Sequence, residues 1–140
     1  MKQKTTAALL ILILLMSFSQ FSFAETIQPR FSHISTMRAG IKLTGSSLWC
    51  FGQADSKYDD TTTRLYVRAL RQSHDGGSWG RFAAWSQTTS GFIPAVIDQT
   101  ITVDAGYDYQ VYVLVQILDS NNTVVESDYM YSSIVSYPRT

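Results

Sequence analysis

The stretch Tyr107-Asp108-Tyr109-Gln110-Val111-Tyr112-Val113-Leu114-Val115-Gln116-Ile117-Leu118 decides the fold. Tyr109, Val111, Val113, Val115 and Ile117 recur at every second position, which puts five apolar side chains on one face of one strand. Gln110, Tyr112, Leu114 and Gln116 fall on the other face, a mixed surface suited to meeting water or a partner. β-Branched and aromatic residues fill the run, so it is expected to form a central strand of a sheet.

Outward from this strand the same period of two continues, broken by turns, and no segment carries a helical pattern. Ile27 to Met37 is expected as an edge strand, since Pro29 cannot donate to a ladder. Ile41 to Phe51 follows as a second strand whose alternation changes phase. Ile41 and Leu43 share one parity and Leu48 and Cys50 the other, so a bulge is expected near Gly45-Ser46-Ser47. Thr63 to Gln72 makes the third strand, with Leu65, Val67 and Ala69 on its apolar side. His74-Asp75-Gly76-Gly77-Ser78 is a turn. Trp79 to Thr88, Ile97 to Val103, Tyr107 to Leu118 and Thr123 to Tyr137 complete the set, with Asp119-Ser120-Asn121-Asn122 turning between the last two. The expected fold is all-β, a seven-stranded antiparallel Greek-key β-sandwich.

The first 24 residues read as a targeting segment. Lys2 and Lys4 precede the uncharged apolar run Ala7 to Met16, and Ser22-Phe23-Ala24 sets small residues before Glu25. The run is shorter than the roughly 20 residues a bilayer core requires, so a signal peptide (1–24) is expected rather than an anchor, and no later segment predicts a membrane span. The remaining 116 residues, 25–140, are expected to form one secreted domain, large enough to bury a core. They carry nine Lys and Arg against eleven Asp and Glu, with no basic stripe, which argues against nucleic acid as a partner. The one cysteine, Cys50, lies in the apolar run Leu48-Trp49-Cys50-Phe51 and is expected to be a buried thiol.

Asp104-Ala105-Gly106-Tyr107-Asp108-Tyr109 resembles the tyrosine corner of immunoglobulin and fibronectin type III sandwiches, with Tyr109 as the corner tyrosine. Where immunoglobulin domains carry the second cysteine of their inter-sheet disulfide, this chain has Val111, so Cys50 has no such partner. The spacing of Gly77-Ser78-Trp79, Trp85 and Gly106-Tyr107-Asp108-Tyr109, after the start Ile27-Gln28-Pro29-Arg30-Phe31, also resembles a group of short secreted proteins from Gram-positive bacteria. That family has no assigned activity, and the resemblance implies no catalytic residues.

Chemistry-bearing groups are sparse. His74 and Asp75 adjoin in one Gly-rich turn, where a base and its orienting carboxylate would not line up. Two histidines with one cysteine fall short of a zinc site. Asp55, Asp59 and Asp60 crowd one loop but lack the central glycine and terminal glutamate of an EF-hand, so a solvated loop is expected; calcium remains the alternative. Asn121-Asn122-Thr123 matches a glycosylation sequon and reads here as a turn. No catalytic residue, metal or cofactor is therefore assigned.

The aromatics carry the functional reading. Trp79 and Trp85 flank the fourth strand, while Tyr112, Tyr129, Tyr131 and Tyr137 populate the last two. Trp85 is expected in the core. Trp79 and Tyr112 are the candidate ligand-binding residues, able to stack on sugars or anchor a protein. The expectation is a monomeric, non-enzymatic secreted binding module for an extracellular protein or glycan. A secreted toxin or bacteriocin-like protein is the alternative, and a small hydrolase stands third.

Overall fold

Gly45 and Ser46 set the first sheet. A computed structural model describes residues 31–139, and there Gly45 takes a φ of 59° at the first position of a two-residue turn. Leu43 pairs with Leu48 and Thr44 with Ser47 on either side of it. Ile41 to Phe51 is thus not one bulged strand. It is the end of β1 (Ile34–Thr44) and the start of β2 (Ser47–Ser56), joined by a tight hairpin. The chain reversal, rather than an inserted residue, returns both apolar pairs to the interior. The signal-peptide reading, and the part of the first expected strand before Phe31, lie outside the described residues.

The remaining strands are β3 (Thr62–Ser73), β4 (Gly80–Ser90), β5 (Ala95–Thr102), β6 (Tyr107–Leu118), β7 (Val124–Tyr131) and β8 (Val135–Tyr137). They form two antiparallel sheets packed face to face, a β-sandwich. One sheet runs β1-β2-β5; the other runs β4-β3-β6-β7, with β8 also on β6. The chain crosses between sheets after β2, β4 and β5.

The seventh expected strand breaks in two, so the described residues form eight strands rather than seven. β7 pairs with the Tyr112–Leu118 half of β6, and β8 with Tyr107 to Tyr109. Ser132 fills the gap: its N–H donates to the Val111 carbonyl and its Oγ accepts from the Val111 N–H, both at 2.8 Å. That hydroxyl supplies the acceptor a continuous strand would have provided, so the buried Val111 amide is not orphaned.

The core follows the alternation. Leu48, Cys50 and Ala54 of β2 face Leu65, Val67 and Ala69 of β3 and Tyr109, Val111, Val113, Val115 and Ile117 of β6, all without solvent exposure. Burial pushes the Cys50 thiol up to about 11, so it stays protonated at neutral pH and packs as a small apolar group. Trp85 pairs with Val67 and packs half-buried against this core. Phe82 is an extra residue on β4 opposite Ala69/Leu70, so both Phe82 and Ala83 turn inward, where Phe82 meets the Tyr109 ring edge-on at 5.6 Å. At the opposite end, Glu126 of β7 accepts the N–H groups of Ser32, His33 and Ile34 at 2.8, 2.7 and 3.3 Å, which fixes where β1 begins.

Candidate functional site

The outer face of the five-stranded sheet is built by the residues that alternate with the core. On β3, Leu65, Val67 and Ala69 point in, so Arg64, Tyr66 and Arg68 point out; on β6 the outward set includes Tyr112 and Leu114. Register then assembles rows across four strands. Ala84, Arg68, Tyr112 and Tyr131 form one, and Ser86, Tyr66, Leu114 and Tyr129 the next. Thr88, Arg64, Gln116 and Ser127 make the third.

Tyr112, Tyr129 and Tyr131 gather into one cluster. The Tyr112 ring lies 5.1 Å from Tyr131 and 5.8 Å from Tyr129, and the latter two meet edge-on at 6.0 Å. Directly opposite and diagonal cross-strand neighbours are close enough for such ring contacts. Among the described residues Tyr129 is 59 % and Tyr131 50 % exposed, while Tyr112 between them is half-buried. The Arg68 guanidinium stands over the Tyr112 ring at 5.7 Å, a cation–π arrangement. On its other side Arg68 lines a shallow depression with Tyr66, Arg81, Ala84 and Ser86. No carboxylate stands in these three rows. Among the described residues the ion pairs are His33–Glu126, Arg71–Asp104 and His74–Asp108, so Arg64, Arg68 and Arg81 have no acidic partner.

Of the aromatics singled out from the sequence, the structure thus brings Tyr112, Tyr129 and Tyr131 together. Tyr137 pairs with Tyr107 and packs against the core. Trp79 stands apart, 36 % exposed on the β3–β4 connection just before Gly80, which pairs with Arg71 beyond the row of Arg68. Sequence reasoning missed the arginines. Their signal was present in the alternation Arg64-Leu65-Tyr66-Val67-Arg68, but only register across β3, β4 and β6 sets them beside the tyrosines.

The opposite sheet carries a second aromatic feature that sequence reading missed. Trp49 and Phe51 stack on its outer face, with centroids 5.3 Å apart and planes 19° apart. The indole N–H donates to Asp98 Oδ1 at 2.7 Å. Gly40 makes room for it: a Cβ there would stand 3.0 Å from the indole.

The other polar groups do not converge on a reaction centre. His74 pairs not with Asp75 but with Asp108, its Nδ1 2.9 Å from Oδ1. Ser136 stands opposite Asp108 in the β6–β8 pairing and helps hold its carboxyl low. The carboxylate is therefore central, whereas a nucleophilic triad needs the imidazole between serine and carboxylate. Asp55 accepts from Thr36 and Gln53 on the first sheet, and Asp60 lines a separate shallow pocket with His33 and Asp119. No group of three metal-ligating side chains occurs among the described residues. Asn121 and Asn122 form the expected turn, held by Asp119, which accepts the N–H groups of Asn121 and Thr123. No helix of the described residues is long and apolar enough to cross a membrane.

The His74–Asp108 pair has a titration signature. The hydrogen bond to Asp108, then its charge, holds the imidazole above its ordinary 6.5. Asp108 is held below 3.8, by Ser136 first and His74 second. A raised histidine contributes fully below its unfolded pKa and loses that contribution as pH rises through the folded value; a lowered carboxyl loses its contribution as pH falls through its folded value. The pair is therefore intact between the two folded values. In an NMR titration, Asp108→Asn should move the His74 midpoint downward; an unchanged midpoint would mean the contact does not persist in solution.

In comparison with known proteins, no family model and no curated protein matches this sequence.

Proposed function

We propose that this chain is a secreted, non-enzymatic binding module, and that its ligand docks on the outer face of the five-stranded sheet. The observation that carries this is the cluster of Tyr112, Tyr129 and Tyr131, half-exposed and mutually packed beside Arg68, which has no acidic partner among the described residues. Tyrosine and arginine dominate binding hot spots, because a rigid ring offers large contact area at small entropic cost and a guanidinium adds directed donors. The face is also rigid. β6 lies between two hydrogen-bonded neighbours, and its inward side chains are locked in the core.

The order β1-β2-β5 against β4-β3-β6-β7, with the Tyr109 hydroxyl donating to the Asp104 carbonyl, supports an immunoglobulin or fibronectin type III-like module. Such frameworks commonly present binding surfaces rather than reactive clefts, an analogy of fold alone. Secretion rests on the Lys2-to-Ala24 pattern. The partner class is an extracellular protein or glycan.

The test is a glycan-array and cell-surface screen with the secreted protein, followed by variants. Tyr112→Ala and Tyr131→Ala should each weaken capture by about 2 kcal/mol or more, roughly thirtyfold in Kd, with the ligand recovered chemically unaltered. Trp79→Ala should leave capture intact. Loss with Trp79→Ala and retention with both tyrosine variants would move the site to the β3–β4 end, and an altered ligand would make the protein an enzyme.

A further inference from the structure

We infer that the ligand of this face is an acidic glycan, with sugar rings over Tyr112 and Tyr131 and its carboxylates on Arg68, Arg81 and Arg64. This rests on the reading of the face as the binding surface and adds the chemistry of what binds there.

The first ground is charge. The whole chain has eleven basic and eleven acidic side chains, yet these rows hold guanidinium groups and no carboxylate. Positive charge is thus gathered locally on an otherwise balanced molecule. Arg68 and Arg81 flank one depression that also offers the hydroxyl-bearing Tyr66 and Ser86. Two guanidinium forks and neighbouring hydroxyl donors match a planar carboxylate, which accepts bidentate hydrogen bonds.

The second ground is that the charged depression and the rings are one surface, because Arg68 belongs to both. A neutral glycan would use the rings and leave the guanidiniums idle. An acidic peptide would use the guanidiniums but bring no flat C–H surface to the ring faces. A carboxylate-bearing sugar meets both requirements, since a pyranose presents C–H bonds to an aromatic π face while its acid group reaches the arginine.

Shape supplies the third. β3 and β6 have hydrogen-bonded neighbours on both sides, so an extended peptide cannot add to this face as a strand; that mode needs a free edge. The face is open rather than grooved. Arg64 and Arg68 lie four residues apart on one side of β3, roughly 13 Å by strand rise. A ligand engaging both must carry repeated charges along its length, as an acidic polysaccharide does.

The experiment measures binding of the purified secreted protein to polygalacturonate and hyaluronate, two carboxylate-bearing glycans of different backbone. Fully methyl-esterified polygalacturonate and poly-L-glutamate are the controls. At least one acidic glycan should bind at low salt and weaken as salt rises. The ester and the polypeptide should bind at least tenfold more weakly. Arg68→Gln, a change at an exposed position, and Tyr112→Ala should each lower affinity at least tenfold, with thermal melts confirming that both variants are folded. Equal binding of the ester or of poly-L-glutamate would overturn the inference, as would failure of both acidic glycans. If those glycans fail while the surface screen captures another ligand through Tyr112 and Tyr131, the binding face stands and only its ligand class falls. If every captured ligand is indifferent to Arg68→Gln, Tyr112→Ala and Tyr131→Ala, both readings fall.

Discussion

Tyr109→Ala should lower the unfolding free energy by about 3–5 kcal/mol, the usual loss when a large aromatic is deleted from a closed core. A domain of this size has only about 5–15 kcal/mol in hand, so a large part of its stability is at stake. The ring has no solvent exposure and touches Phe82 edge-on at 5.6 Å and Tyr107 at 6.2 Å. Above these, the Arg71 guanidinium covers Tyr107 at 4.6 Å and Phe82 at 5.5 Å, and reaches Asp104 at 3.9 Å. Removing Tyr109 takes the floor from under that whole end. Tyr109→Phe separates packing from polarity. It keeps the ring and deletes only the hydroxyl that donates to Asp104, for about 1–3 kcal/mol. Denaturant midpoints at an unchanged slope measure both. A phenylalanine variant that matches the parent would mean the corner hydrogen bond contributes nothing, and an alanine variant within 1 kcal/mol would mean the end repacks.

Tyr109 could be located from sequence because its strand is over-determined. Five inward residues in strict alternation leave one register and one face, and Tyr107–Leu118 forms as read. Near Gly45 the same logic failed for a physical reason. A bulge and a two-residue turn both want a glycine in the left-handed region, and both shift the apolar parity. They differ in where the chain goes next, which is a matter of pairing partners. The seventh strand failed at Ser132, whose hydroxyl stands in for a backbone acceptor, a substitution that leaves no periodic trace. The candidate site divides the same way. The outward position of Tyr112 follows from alternation alone. The neighbours that give it a chemistry, Arg68 from β3 and Tyr131 from β7, arrive through cross-strand register.

Gly52 is a point where the two sheets approach each other tightly, and Gly52→Val is expected to cost about 3 kcal/mol or more, the upper part of the range for overpacked cores. The residue lies buried in β2, and its backbone φ is outside the left-handed region, so conformation is no obstacle to a side chain. Space is the obstacle. A Cβ at Gly52 would come within 2.3 Å of Val67 Cγ2 and 3.2 Å of Val113 Cγ2. Both valines are fully buried on the paired strands β3 and β6, where neither can retreat without moving its sheet. Gly52→Ala opposes two effects: less backbone freedom in the unfolded chain favours alanine by about 0.4–1 kcal/mol, while the clash with Val67 costs about 1–3. The clash should win. Val67→Ala removes the offending methyl, so the pair makes a double-mutant cycle with a sign fixed in advance. Val67→Ala alone opens a cavity and destabilises; combined with Gly52→Ala, the new methyl occupies the space just vacated. The double variant should therefore be more stable than the sum of the singles by about 1 kcal/mol or more, within the range seen for residues in contact. Additive losses would show that the sheets part to admit the extra methyl, and that Gly52 does not set their separation.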